Sequence, residues 1–154
     1  MPPTSSIAPN ILSLRNLAAD DAVAAAGLLE ELGYPATPAD VARRLTQLEQ
    51  WPDQCAFVAC LDRLPVGLCQ VQGVRLIASD GYAEVQALVV TQACRGRGVG
   101  RALLRHAVEW AGARGYARVR LRSGTQREAA HRFYEANGFA RAKASYAFEI
   151  ATRR

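Results

Sequence analysis

With 154 residues, half of them hydrophobic and about a fifth charged, the chain has the size and composition of one soluble domain with a substantial core. Its net charge of +5, from 18 Arg and one Lys (Lys143) against 14 acidic residues, admits phosphate-bearing partners, but the arginines are scattered rather than blocked, which speaks against a dedicated nucleic-acid tract. No run approaches the roughly 18 apolar residues of a membrane span, residues 1–6 lack the basic and apolar regions of a signal peptide, and Cys55, Cys60, Cys69 and Cys94 have neither zinc-ligand nor CxxC spacing.

These exclusions lead to the expectation of a cytoplasmic protein without a metal site or disulfides, and the Arg-for-Lys bias suits a GC-rich bacterial genome. Residues 1–10 are polar and proline-rich and read as a flexible tail; residues 11–154 read as a single domain. Ile11–Arg15 alternates weakly, as an edge strand does. Asp20 and Asp21 open an alanine-rich helix with Ala25, Leu28, Leu29 and Leu32 on one face and Gly33 at its end. Thr37-Pro38-Ala39-Asp40 is a second helix start, with an N-cap threonine, proline at N1 and an acid at N3. Cys55–Leu61, Val66–Ile77 and Tyr82–Val90 form a meander of strands, turned at Asp62–Pro65 and at Ser79-Asp80-Gly81.

Val90 is followed by Thr91-Gln92-Ala93-Cys94-Arg95-Gly96-Arg97-Gly98-Val99-Gly100-Arg101, a polar, glycine-rich turn into a helix. Val99, Leu103, Ala107, Trp110 and Ala111 make the buried face of that helix. Glycines let backbone approach a ligand closely, a helix start leaves about four N–H groups unpaired, and the helix dipole favours negative charge there. Arg95, Arg97 and Arg101 add full charges, so the stretch suits a diphosphate. The lysine of a P-loop is absent. The third glycine falls one position short of a dinucleotide fingerprint, and Arg118, Arg120 and Arg122 stand where its acidic ribose partner belongs; a 2′-phosphate dinucleotide is the weaker alternative.

Further on, Ala117–Arg122 alternates arginine with Val119 and Leu121, as a strand with one apolar face does. Thr125-x-x-Glu128 reads as a capping box for a helix running to Asn137 with Gly138 at C′, and Phe139–Ile150 reads as two short strands. The expected order is β-α-α-β-β-β-α-β-α-β-β.

Arg95-x-x-Gly98-x-Gly100 resembles the pyrophosphate-binding motif of the GNAT N-acetyltransferase superfamily. Arg127–Phe139, with Ala130, Phe133, Tyr134, Glu135, Gly138 and Phe139, resembles that family's second signature. Leu88-x-Val90 is similar to its pantetheine-pairing strand. The resemblance covers about Tyr82–Phe139 and implies an α+β fold, layered α/β/α, whose mixed and mostly antiparallel sheet contains a splayed strand pair, here Tyr82–Val90 and Arg118–Arg122.

It also implies an acetyl-coenzyme A-dependent transferase that moves an acetyl group to a primary amine by direct transfer in a ternary complex. In this resemblance Leu88, Val89 and Val90 line the pantetheine, and Arg95, Gly96, Arg97, Gly98, Val99, Gly100 and Arg101 hold the pyrophosphate. Gln126 stands where many members carry a pantetheine-touching asparagine. His131, one turn before Tyr134, lines the coenzyme groove, although a lone helix histidine is more often surface, as is His106. Tyr134 is the expected acid for the departing thiolate. An alkylammonium is neutral in only about one molecule in a thousand at pH 7, so transfer needs a base, and Glu84, six residues before Val90, is the candidate.

The acceptor is a small-molecule or protein amine, without membrane or nucleic acid, and a homodimer is compatible with the sequence. Two readings compete: a coenzyme A-binding sensor or partner module without catalysis, and a nucleic-acid binder using Arg118, Arg120 and Arg122.

Overall fold

The computed structural model describes residues 11–153; the tail expected over residues 1–10 lies outside them. Chain contacts separate two compact units, which meet after Leu121 in sequence.

The first unit is built on a five-stranded sheet in the order β1-β2-β3-β4-β5. Its strands are β1 (Leu12–Asn16), β2 (Gln54–Leu61), β3 (Leu64–Val74), β4 (Tyr82–Val90) and β5 (Val119–Leu121). Neighbours are antiparallel except β4 and β5, which run parallel. Asp62 and Arg63 both take positive φ and close the two-residue β2–β3 hairpin, the conformation that matches strand twist. The β3–β4 link is longer than its sequence suggests. Strand β3 ends at Val74 rather than Ile77, and Ile77 is fully exposed, with no apolar surface to hold it in the sheet.

Helices α1 (Ala22–Leu32) and α2 (Pro38–Glu49) cover one face of the sheet. Leu28 of α1 packs with Val58, Cys60, Leu68 and Val89, while Ala25 and Ala26 pack with Val41 of α2. A 3₁₀ turn at Ala19–Asp21 precedes α1, so the helix opens just after the two aspartates. Asp21 is buried and accepts both Arg15 guanidinium nitrogens at 2.7 and 2.8 Å and the Ala18 N–H at 2.8 Å, tying β1 to the start of α1. Thr37 caps α2 as its sequence predicts: its hydroxyl accepts the Asp40 N–H, and the Asp40 carboxylate accepts the Thr37 N–H, both at 3.1 Å.

Helix α3 (Val99–Ala113) covers the opposite face. His106 meets the fully buried Phe57 edge-on, with ring centroids 4.4 Å apart, rather than lying on the surface. A methyl group on Gly67 of β3 would stand 2.9 Å from Leu103 and 3.2 Å from Val99. Glycine there lets the first turn of α3 press onto the sheet. Sheet and helices together are the α+β layering the sequence implies.

The second unit, residues 122–153, contains α4 (Glu128–Ala136). Gly138 at φ 91° and the Phe139 N–H to Tyr134 carbonyl bond of 3.0 Å end the helix as expected. Its start differs: the capping box is not formed. Arg127 is the N-cap, without a side-chain bond, because residues 124–127 close a turn in which the Arg127 N–H reaches the Gly124 carbonyl at 3.0 Å. The two strands expected over Phe139–Ile150 are also absent among the described residues. Tyr146, Phe148 and Ile150 alternate as strand residues do, yet each is about nine-tenths exposed. A strand needs a partner for its N–H and C=O groups, and no other strand is described in this unit.

Candidate functional site

Strand β4 carries the features that bear on function, and hydrogen-bond alternation shows which way its backbone points. The Thr91 N–H bonds to the Val66 carbonyl at 2.8 Å, next to the Val90–Gly67 pair. Val90–Gly67 is therefore a non-hydrogen-bonded pair, and so, two residues back, is Leu88–Cys69. The N–H and C=O groups of Leu88 and Val90 thus face away from β3, toward the edge where β5 would lie. Val89 does the reverse: its backbone turns to β3 and its side chain is buried in the α1-side core.

β5 does not follow β4 to its end. The pairing runs only from Ala83 with Val119 to Val85 with Leu121, so no described strand occupies the β4 edge from Gln86 to Val90. This is the parting of strands that the sequence implies, and it presents the outward groups of Leu88 and Val90 along an open edge.

At the end of that edge a 3₁₀ turn, Gln92–Cys94, leads through Arg95, Gly96 and Arg97 to the N-cap Gly98. Gly96 and Gly98 have φ of 79° and 81°, values that side-chain-bearing residues seldom adopt. The Gly98 carbonyl accepts the Ala102 N–H at 3.0 Å. The N–H groups of Val99, Gly100 and Arg101 precede the first such bond and have no intrahelical acceptor. No side chain caps this helix. Arg95, Arg97 and Arg101 are exposed around the turn, and Arg95 Nε donates to the Val90 carbonyl at 3.1 Å. Unpaired amides at a positive helix end, with guanidinium groups beside them, make a receptor for a multiply charged anion.

One contact here was not foreseen. Glu31, at the end of α1, accepts the Gln92 N–H at 2.9 Å and so ties α1 to the start of the turn. That bond, the Thr91 hydroxyl and the nearby Arg95 hold the Glu31 carboxyl below its ordinary range. Acidic residues at a helix end carry no sequence signal for a bond 61 positions away.

The other end of β4 is polar. Gln54 of β2, Gln72 of β3, Glu84 of β4 and Arg120 of β5 are in register as one row across four strands. Their face follows from a bulge. Gln70 pairs with Ala87 but Val71 with Val85, which leaves Gln86 as an extra residue on β4. Counting back by twos from the α1-facing Val89 would put Glu84 on the α3 face. The bulge reverses that parity, so Glu84 and Tyr82 share the α1-side face with Gln70 and Gln72. Glu84 is half-buried.

In the second unit, Tyr134 is half-buried between Phe133 and Phe139, with centroid distances of 5.7 and 6.3 Å. His131 is half-buried too, and its Nε2 lies 2.8 Å from the Gly124 carbonyl, so it braces the turn before α4. Gln126 is exposed in that turn. The four cysteines are free; Cys60 and Cys69 are buried, and burial pushes the Cys69 thiol far above its usual range. Cys94 lies half-buried in the 3₁₀ turn. No helix among the described residues is long and apolar enough to cross a membrane.

Comparison with known proteins bears on all of this. Residues 17–139 match the family model described as acetyltransferase (GNAT) family. An uncharacterized N-acetyltransferase of Methanocaldococcus jannaschii, MJ1207, is 34% identical over 90 residues, which are 56% of this chain and 40% of that protein. N-acetylaspartate synthetase of Rattus norvegicus is 32% identical over 99 residues, 62% of this chain and 32% of the other. The chain therefore matches less than half the length of these relatives.

Among solved structures, an acetyltransferase from Agrobacterium tumefaciens str. C58 is 29% identical with a TM-score of 0.80, covering 90% of this chain and 99% of that one. The aminoglycoside N-acetyltransferase AAC(6')-Iy, solved in complex with CoA, shares the fold at 15% identity with a TM-score of 0.82, over 94% and 97% of the two chains. A family match running through both units, on a fold with a strand edge that β5 leaves unpaired and an anion-receiving turn, leads to one conclusion: the chain belongs to the GNAT acetyltransferase family.

Proposed function

We propose that this protein is an acetyl-coenzyme A-dependent N-acetyltransferase acting on a primary amine by direct transfer in a ternary complex, with residues 11–154 as one catalytic domain. The observation that carries the reading is the open edge of β4 running into the uncapped, glycine-built start of α3. The residues present fit acetyl-coenzyme A. The amides and arginines from Arg95 to Arg101 hold its pyrophosphate, and the outward backbone groups of Leu88 and Val90 take its pantetheine amides. Bound there, the coenzyme supplies an acetyl thioester.

The remaining tasks fall to the chain. Glu84 takes a proton from the acceptor ammonium, directly or through water, and so frees the nitrogen lone pair to attack the acetyl carbon. Tyr134 gives a proton to the sulfur as the C–S bond breaks, and Gln126 and His131 flank the coenzyme. The balance is amine plus thioester to amide plus thiol. Most of the rate comes from holding the two reactants together, worth roughly 7–11 kcal/mol, against about 10²- to 10⁴-fold from acid–base help.

N-acetylaspartate synthetase and an aminoglycoside acetyltransferase, two proteins this chain is similar to, are named for very different acceptors, so the acceptor has to be argued from this chain's own residues. The test of the reading is thiol release from acetyl-coenzyme A across a panel of amines, with mass spectrometry of the product and calorimetry of coenzyme binding. Acetylated amine is the expected result. Tight coenzyme binding with no amine acetylated would establish the sensor reading in its place, and failure to bind the coenzyme would overturn both.

A further inference from the structure

We propose that Arg95 determines which acyl donors this protein accepts: in the free chain its side chain occupies the Val90 carbonyl, and a donor that brings its own diphosphate draws it away. The inference rests on the transfer reading above, in which the β4 edge receives pantetheine and the turn into α3 receives pyrophosphate. It adds a coupling between the two.

The Thr91 N–H bond to Val66 fixes the Val90 carbonyl as one of the groups directed away from β3. It lies beyond Val85, the last residue of β4 that pairs with β5. Yet it is not an idle acceptor. Arg95 Nε donates to it at 3.1 Å, so a cation already stands where a pantetheine N–H would pair. The backbone brings it there. The Cys94 N–H bonds to the Thr91 carbonyl at 3.0 Å, the Arg95 N–H to the Gln92 carbonyl at 3.3 Å, and Glu31 accepts the Gln92 N–H at 2.9 Å. These bonds hold the chain after Val90 in a tight turn, from which the Arg95 side chain reaches back five residues to the strand it has just left.

The same residue stands just ahead of Gly96 and the N-cap Gly98, beside the anion seat. Two partners therefore compete for it. A diphosphate offers full opposite charge and two parallel bonds, which a neutral carbonyl cannot. Arg95 is exposed, so the exchange leaves the core untouched. Sharing the carbonyl is the weaker alternative: its second lone pair can accept, but the incoming N–H would turn its positive end toward a cation. A coenzyme A thioester thus clears the Val90 carbonyl for its own pantetheine, whereas a thioester without the diphosphate must displace Arg95 unaided. By linkage, diphosphate and pantetheine then favour each other's binding by one common factor.

The experiment titrates S-acetyl-N-acetyl-β-alanylcysteamine, which keeps both pantetheine amides but lacks the phosphates, into the wild type and Arg95→Ala. Each titration is run with and without saturating ADP, alongside acetyl-coenzyme A, with thermal melts to confirm folding. ADP is expected to tighten the truncated thioester on the wild type by about three- to tenfold, the worth of one hydrogen bond. In Arg95→Ala the thioester alone should bind about as tightly as it does to the ADP-loaded wild type, and ADP should add nothing. No effect of ADP on the wild type overturns the proposal, as does an equal ADP effect in Arg95→Ala; the wild-type comparison stands even if the variant does not fold. The Val90 carbonyl carbon resonance, which follows its hydrogen bond, gives a readout that needs no thioester. It should differ between the free wild type and free Arg95→Ala and coincide once both hold ADP, and a difference that ADP leaves unchanged overturns the proposal. Coupling without acetylation of any amine upholds the role of Arg95 while the transfer reading falls. Acetyl-coenzyme A bound and used without coupling leaves the transfer reading and removes this one, and failure to bind acetyl-coenzyme A or ADP overturns both.

Discussion

The two ends of β4 present different kinds of groups. At its C-terminal end the groups on offer are peptide N–H donors, arranged by two glycines of positive φ and the start of α3. Apart from glycine, residue identity matters little there, because every residue brings the same donor. At its N-terminal end the groups are side chains drawn from four strands, and their placement depends on register and on one bulge. The first kind of site can be written in a short contiguous motif, and the second cannot. In the proposed reading, the coenzyme seat can be kept while the residues that meet the acceptor change.

Breaking the first end should have the largest effect. Gly98→Asp places a carboxylate in the anion seat, and aspartate tolerates the left-handed backbone better than most residues, so the fold is expected to persist. Acetyl-coenzyme A affinity should fall at least about a hundredfold from charge repulsion and residual strain together. Calorimetry with unchanged affinity would sink the assignment of the turn.

Separating seat from chemistry comes next. Tyr134→Phe removes only a hydroxyl, and turnover should drop about ten- to hundredfold while coenzyme affinity changes by less than about twofold. A parallel loss of affinity would make Tyr134 a packing residue, consistent with its place between Phe133 and Phe139.

Asp21→Asn supplies a control remote from both ends. It weakens the Arg15 contact while sparing room for the Ala18 N–H, and should cost about 1–3 kcal/mol in urea unfolding at pH 7. Arg15 above all, with the Ala18 N–H, holds the Asp21 carboxyl below the ordinary 3.8. Its stabilisation is therefore complete above that value and is lost as pH falls through it toward the lower folded-state pKa. The gap between wild type and variant should accordingly close in acid. A gap that stays constant down to pH 2 would show that the charge is not what stabilises.

The smallest effect is expected at Glu31→Gln, which weakens the tie between α1 and the turn. Loosening the turn should raise the coenzyme dissociation constant only about two- to fivefold. A change as large as that of Gly98→Asp would mean that α1, rather than the glycine backbone, shapes the seat.

Much of the fold was legible because its signals are local. Thr37-Pro38-Ala39-Asp40 carries its own hydrogen bonds, and the glycines at 33, 98 and 138 mark backbone that few other residues adopt. Where expectation failed, the outcome depended on partners. Tyr146, Phe148 and Ile150 have a strand's alternation but no strand beside them in their unit. Thr125 and Glu128 have the spacing of a capping box, yet a turn through Gly124 displaces it. His106 was expected on the surface and instead packs against Phe57, since a single helical histidine carries no mark of what faces it.

Composition, periodicity and the glycine motif by themselves determined the order of elements through α4, the helix faces and the anion-receiving turn, because each follows from interactions within a few residues or from a backbone angle that one residue type permits. Only the tertiary structure decided that β5 leaves β4 after Val85, that Gln86 bulges and thereby turns Glu84 to the α1-side face, and that Arg120 stands beside it. Those facts rest on pairing between separate strands, from residues 14 apart in Val71 with Val85 to 36 apart in Ala83 with Val119, and a one-residue shift in such pairing exchanges every side chain between the two faces of a sheet.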